Sequence, residues 1–484
     1  MTRRVALPPA DLVTAALGAF LTLSAVTFVG RYGTGIGLGL TIGACVFVCL
    51  VAGFLLFPHV VIAGSVAYFV ALPTLKVFVS DLLGGTKDVI TFAALAAAVV
   101  HLVGRRAERQ AQPIDDVVLV LVLGLLGLYL LNLGGGISGQ SGHALSWFHG
   151  VRLFAEPLSL LVVGLSLPEP RRSLRWAITA VVWSAIVCAV YGIFQQALGI
   201  DRLLALGYDY GSYVRAIGGQ LRSFGTLEEP FSYAAFLLMS VGLVLLRGRI
   251  GLFSSAILLL LAFGLVFSFV RTALVIGLAI VGVALARWGH PRAAVLLVLS
   301  AAIGGATFFA LASDVPSDRA VQVSATQYVT LNGRTNVWSE ALGHSRTNWI
   351  LGRGVGAVGT ASQRAGEAIT GASTKPGTSS KGGTVVDSGY LAVATDVGFL
   401  GLAIFLLLLI RLLVLSWRAA SGGSAEGWIA IGVLVVMLFD ALTRESFTGF
   451  PTAYVGMLLV GLALASAAAT RAATRESQPA LTTG

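Results

Sequence analysis

Long apolar runs alternate with short polar breaks along the whole chain. Runs of about 17–25 apolar residues are long enough for an α-helix to cross a bilayer. By that measure spans are predicted at about residues 8–29, 35–56, 59–80, 88–104, 114–134, 146–167, 176–198, 230–246, 250–269, 272–287, 293–312, 388–411, 427–443 and 451–469. The expected fold is an all-α integral membrane protein of about fourteen transmembrane helices, a single polytopic domain over residues 1–484. The first run, from about Leu7 to Val29, is too long for the apolar region of a secretory leader and is read as a span. Two connections are long, 199–229 and 313–387. Within the second, Gly333–Gly343 carries a helical apolar face of Val337, Trp338, Ala341 and Leu342.

Basic residues follow the same alternation. With the N-terminus on the cytoplasmic side, the inner ends receive Arg3/Arg4, Arg105/Arg106/Arg109, Arg171/Arg172/Arg175, Arg247/Arg249, Arg287/Arg292, Arg411/Arg418 and Arg471/Arg475. Clusters of arginine in short cytoplasmic loops are what the positive-inside rule expects, so both termini are placed on the cytoplasmic side. The two long connections are then external. They too are basic, with Arg202, Arg215 and Arg222 in the first and Arg319, Arg334, Arg346, Arg353, Arg364, Lys375 and Lys381 in the second. Such a surface suits acidic lipid headgroups or an anionic ligand.

Composition agrees. The 484 residues are 56% hydrophobic and 11% charged with a net charge of +10, and the mean hydropathy is +0.89. Soluble domains carry about 25% charged residues, which excludes the globular class. The cysteines, Cys45, Cys49 and Cys188, all lie in apolar runs, so no disulfide framework or Cys/His metal cluster is indicated. Arg152 and Glu156 stand four apart in one span, which predicts an internal ion pair.

Four polar stretches interrupt the apolar pattern at predicted outer ends. They are Gly192-Ile-Phe-Gln-Gln-Ala-Leu-Gly199 with Arg222-Ser-Phe-Gly-Thr-Leu-Glu-Glu-Pro230; Phe269-Val-Arg-Thr-Ala273; Arg334-Thr-Asn-Val-Trp338 with Leu351-Gly-Arg-Gly-Val-Gly356; and Asp387-Ser-Gly-Tyr-Leu391 with Asp396-Val-Gly-Phe-Leu-Gly401. In order and spacing this set resembles the O-antigen ligase and polymerase family of membrane glycosyltransferases (Wzy/WaaL type), over about Gly192 to Ile410. Ligases of that family usually carry His-Asn where Asp387-Ser388 stands here, and Pro-Asn where this chain has Pro230-Phe231.

The resemblance implies a helical bundle of the glycosyltransferase C type. Its activity would be inverting transfer of a glycan from a polyprenyl (undecaprenyl-type) diphosphate carrier to an acceptor hydroxyl on the outer face. Partners would be that donor, a glycan or lipid-glycan acceptor and membrane lipid, with no nucleic acid. The leaving diphosphate gains charge as the glycosidic bond breaks, and arginine forks at a dry membrane edge suit it. Arg222, Arg271 and Arg334 are the expected clamp, with Arg353 and Trp338 as further substrate contacts. Helix-end snorkelling is the competing reading for Arg222 and Arg271, and an ion pair for Arg334. Asp387 is the positional candidate for the base that takes the acceptor proton, or else a helix cap. Glu228 and Glu229 are the reserve, or else partners of Arg222. No Asp-x-Asp or His/Glu cluster is seen on the outer side, so neither metal nor cofactor is expected. A transporter of lipid-linked glycans is the rival. It would favour midplane charges and broken helices with internal repeats.

Overall fold

The computed structural model describes residues 34–107, 115–132, 143–208, 216–217, 220–247, 251–288, 349–357, 361 and 388–477. Twelve α-helices occupy them: α1 (Thr34–Leu56), α2 (Pro58–Phe78), α3 (Thr86–Ala107), α4 (Asp116–Leu131), α5 (His143–Ser166), α6 (Pro170–Ala205), α7 (Pro230–Arg247), α8 (Leu252–Val266), α9 (Thr272–Trp288), α10 (Gly389–Ser421), α11 (Ala425–Asp440) and α12 (Thr452–Ser477). Each coincides with an expected span. The expected spans at 8–29 and 293–312 lie outside the described residues. Seven of the helices are long and apolar enough to cross a membrane. A 3₁₀ turn over Asp81–Gly85 and one antiparallel pair, β1 (Ala216–Ile217) with β2 (Gln220–Leu221), complete the described elements.

The bundle is built around α12. It packs most heavily on α5 and also on α6 and α11; α2 lies on α6, α10 on α4 and α11, and α11 on α7 and α9. The residues along α12 are apolar on every side, and 89% of its most apolar stretch is buried, against 33% for the peripheral α3. Helices in lipid lack a hydrophobic force drawing them together and need close packing instead. At the α5–α12 crossing Gly164 and Gly461 provide it: an added Cβ on Gly164 would sit 2.6 Å from Leu458 O, and one on Gly461 3.0 Å from Gly164 Cα.

Two helices are interrupted. α6 breaks at Gly199 (φ 74°, ψ 172°) and α10 at Gly398 (φ 71°, ψ −173°). At the far end of α10, Arg411 holds Asp115, the N-cap of α4, through Nη2–Oδ2 at 2.6 Å and Nε–Oδ1 at 3.1 Å. That hydrogen-bonded guanidinium keeps the Asp115 carboxyl below the usual carboxylate range.

Candidate functional site

The first polar stretch and the second are fastened to each other at one end of the bundle. Gln195 is fully buried, and its Oε1 accepts from Phe224 N (3.1 Å) and Gly225 N (3.0 Å) while Nε2 donates to Gly225 O (2.9 Å). Gln196 Nε2 donates to Ser223 Oγ (2.8 Å), and Ser223 Oγ donates to Gly192 O (2.6 Å). The glutamines thus satisfy backbone groups of a loop that has no ladder of its own, which buried peptide groups require. Arg222 follows the same logic. It is 3% exposed, its Nε donates to Ser268 O (3.1 Å), and its guanidinium lies 4.6 Å over the Phe231 ring. Ser268 belongs to the tight turn between α8 and α9, where Phe269 has φ 50° and the half-buried Arg271 precedes α9. Arg222 therefore fixes the hairpin that presents Arg271.

The third and fourth stretches meet at the break in α10. A helix broken by glycine leaves Thr395 O, Phe399 N and Leu400 N without partners, and the glycine-rich turn at 349–357 supplies them. Arg353 N donates to Thr395 O (2.7 Å), Phe399 N to Trp349 O (2.9 Å) and Leu400 N to Ile350 O (3.3 Å). Gly356 N donates to Asp396 Oδ1 (3.2 Å). Asn132, at the end of α4, binds both partners, donating to Leu351 O and to Asp396 O (2.9 Å), and Ser146 Oγ donates to Gly356 O. Irregular backbone inside an apolar bundle is tolerated when protein groups satisfy it, as here. The backbone of Arg353 is committed to this joint, and its side chain is half-buried beside it.

The turn between α11 and α12 links the two pairs. Arg444 is 9% exposed and binds Glu229 (2.5 Å) on one side and Asp440 (2.9 Å) on the other. Ser232 and Ser446 add hydrogen bonds to the same carboxylates. Ala441 O accepts from Gly389 N (2.8 Å), which seats the start of α10 against this turn. Glu228 pairs with Lys76 (2.9 Å). Glu228 and Glu229 are thus held by Lys76 and Arg444. Between α4, α5, α10 and this turn lies a small pocket, lined among others by Tyr129, Gly150, Phe154, Asp396, Glu445 and Phe447. Two carboxylates face it, and Pro157, which cannot donate to the carbonyl of Leu153, leaves that pocket residue one helical bond short.

Beside the pocket, Arg152 and Glu156 form the expected pair (3.6 Å), but inside a larger group. Lys87 Nζ binds Glu156 (2.5 Å) and Asp88 (2.8 Å), Arg152 binds Asp88 (3.1 Å), and Tyr454 donates to Glu156. Lys87 also lies 4.9 Å over the Tyr454 ring. Two cations and two carboxylates cancel, which is how charge is tolerated in a membrane interior.

Of the residues predicted for the site, Arg222, Arg271, Arg353, Glu228 and Glu229 fall at this end of the bundle. Arg334, Trp338 and Asp387 lie outside the described residues. Sequence reasoning missed Arg444, Lys87, Asp88, Glu445 and the pocket role of Asp396. Arg444 and Glu445 sat at the edge of an apolar run, where charge reads as a helix end. Among the described residues no three His, Cys, Asp or Glu side chains gather as a cation site. Neither a protein-family model nor a curated protein matches this chain.

Proposed function

We propose that the protein is an inverting, metal-independent glycosyltransferase of the bacterial plasma membrane, with fourteen spans in a glycosyltransferase C arrangement and cytoplasmic termini. It moves a glycan from a polyprenyl diphosphate carrier to an acceptor hydroxyl at the outer face, as a polysaccharide polymerase or a glycan ligase. One observation carries the reading: polar stretches far apart in sequence meet at one end of an apolar bundle, around a pocket bearing carboxylates and beside a hairpin bearing Arg271. In the reaction the acceptor oxygen attacks the anomeric carbon, the carbon–oxygen bond to the diphosphate breaks, and a carboxylate takes the acceptor proton. Arg271 and Arg334 are assigned to the diphosphate, and Arg222 positions the hairpin from behind. Asp387, one residue before the anchored Ser388, is assigned as base; Asp396 and Glu445 line the pocket itself.

The breaks in α6 and α10 favour a second reading, transport of a lipid-linked glycan, because transporters use interrupted helices at their sites. Incubating purified protein with a lipid-diphosphate oligosaccharide separates the two. A ladder of products identifies a polymerase, one product on a foreign acceptor a ligase, and passage of the lipid across a vesicle bilayer without transfer a transporter. Transfer is expected to persist in EDTA. Arg271→Lys keeps the charge and removes the planar fork, so turnover should fall roughly 100- to 1000-fold with folding intact. Arg418→Lys, at the opposite end of α10, should leave the rate unchanged. A loss below about threefold for Arg271→Lys, at a rate measured against that control, would remove Arg271 from the donor site.

A further inference from the structure

At the opposite end of the bundle from the pocket, a groove of about 210 Å³ lies between α6, α7 and α8. Its walls divide by chemistry. Trp183, Ile186, Val244 and Ile257 make an apolar channel, and Trp183 and Phe253 are 56% and 68% exposed along it. Arg247, the last residue of α7, stands at the mouth with Thr179 and Ser254. Among the described residues no carboxylate lines the groove. Arg247 is exposed and makes no ion pair or hydrogen bond among the described residues, unlike Lys76, Lys87, Arg152, Arg411 and Arg444, each of which has an acidic partner. Exposed Arg175 precedes Thr179 and Trp183 by four and eight residues, on the same face of α6, and adds a second cation above the mouth.

We propose that this groove binds one anionic phospholipid, with its phosphate on Arg247 and its acyl chain along Trp183 and Ile257. The depth suits it: from Thr179 to Ile186 the helix descends about 10 Å, enough for the upper half of an acyl chain below a headgroup. A cation at headgroup level with hydroxyls beside it and an apolar slot beneath matches the two halves of a phospholipid, and the missing carboxylate selects a net negative headgroup. This assignment stands apart from the glycosyl-transfer reading, since the groove shares no residue with the pocket.

The test uses the full-length protein in phosphatidylcholine vesicles containing increasing amounts of phosphatidylglycerol with brominated acyl chains, which quench tryptophan on contact. Subtracting the signal of Trp183→Phe isolates Trp183. Brominated phosphatidylglycerol is expected to quench Trp183 at a several-fold lower share of the lipid than brominated phosphatidylcholine. Arg247→Gln should cut that preference about fivefold, the effect of one basic residue near a membrane surface. Arg247→Lys should retain most of it, and Arg418→Gln, an exposed arginine outside the groove, should leave it unchanged. Equal quenching by the two lipids, or a preference that survives Arg247→Gln, or loss in Arg247→Lys as large as in Arg247→Gln, would overturn the proposal and leave ordinary boundary lipid on this face.

Discussion

Gly199 and Gly398 interrupt α6 and α10 with nearly the same backbone geometry, in a region of φ/ψ space open almost only to glycine. Their surroundings differ completely. An added Cβ at Gly199 would meet nothing within 4 Å, whereas at Gly398 it would collide with Ile350 O and lie 2.6 Å from Gly352 N. One glycine lets a helix turn aside into open space. The other opens a slot that a distant segment of chain fills, backbone against backbone. The same local signal therefore serves a bend at one place and a joint at the other, and only the neighbours tell them apart.

Substitution should separate the two cases. Gly398→Ala adds a collision, about 1–3 kcal/mol, to a conformational strain of about 1–3 kcal/mol. It should lower the unfolding temperature in detergent most of all and expose the Trp349–Ala357 turn to protease. Gly199→Ala bears the strain alone, about 1–3 kcal/mol, and should leave that turn protected. An equal loss of stability for the two would mean that the turn is not docked in α10.

Gln195→Met tests what holds the α6 side, where side-chain amides rather than a second backbone do the work. It leaves Phe224 N and Gly225 N buried without their acceptor, at about 1–3 kcal/mol for each group stranded. Its loss is expected to exceed that of Gly199→Ala and to approach that of Gly398→Ala. Chymotryptic cleavage should appear at Phe224 rather than at Trp349.

The smallest effect belongs to the Asp115–Arg411 pair, far from either break on the α10 side. Asp115→Asn keeps a capping side chain and removes the charge, so a loss of about 0.2–1 kcal/mol is expected at neutral pH. Because the folded-state value of Asp115 is depressed, the pair's contribution is complete above the unfolded value of about 4. It disappears as pH falls through the lower folded value. Melting curves of the two proteins should therefore converge under acid and differ at pH 7.

The helices were legible because each is an apolar run of sufficient length, and run length is a local property. Arg152–Glu156 was legible for the same reason, as an i,i+4 spacing within one helix. Its other partners were not. Lys87 and Tyr454 stand 69 and 298 residues from Glu156, and no periodicity relates positions so far apart. Arg222 illustrates the limit on chemistry. Its motif marked it as polar and important, but the choice between a ligand contact and a scaffold bond depends on Ser268 and Phe231, which come near it only on folding. Glu228 and Glu229 were legible as paired residues, with the partners Lys76 and Arg444 visible only in three dimensions.

The break in α10 also divides that helix by chemistry. Below it, Phe399–Ile410 carries no charge, and Arg411 closes the run by holding Asp115. The half-helix from Gly389 to Val397 carries Asp396 and part of the pocket wall, a carboxyl group that an unbroken apolar run could not easily accommodate.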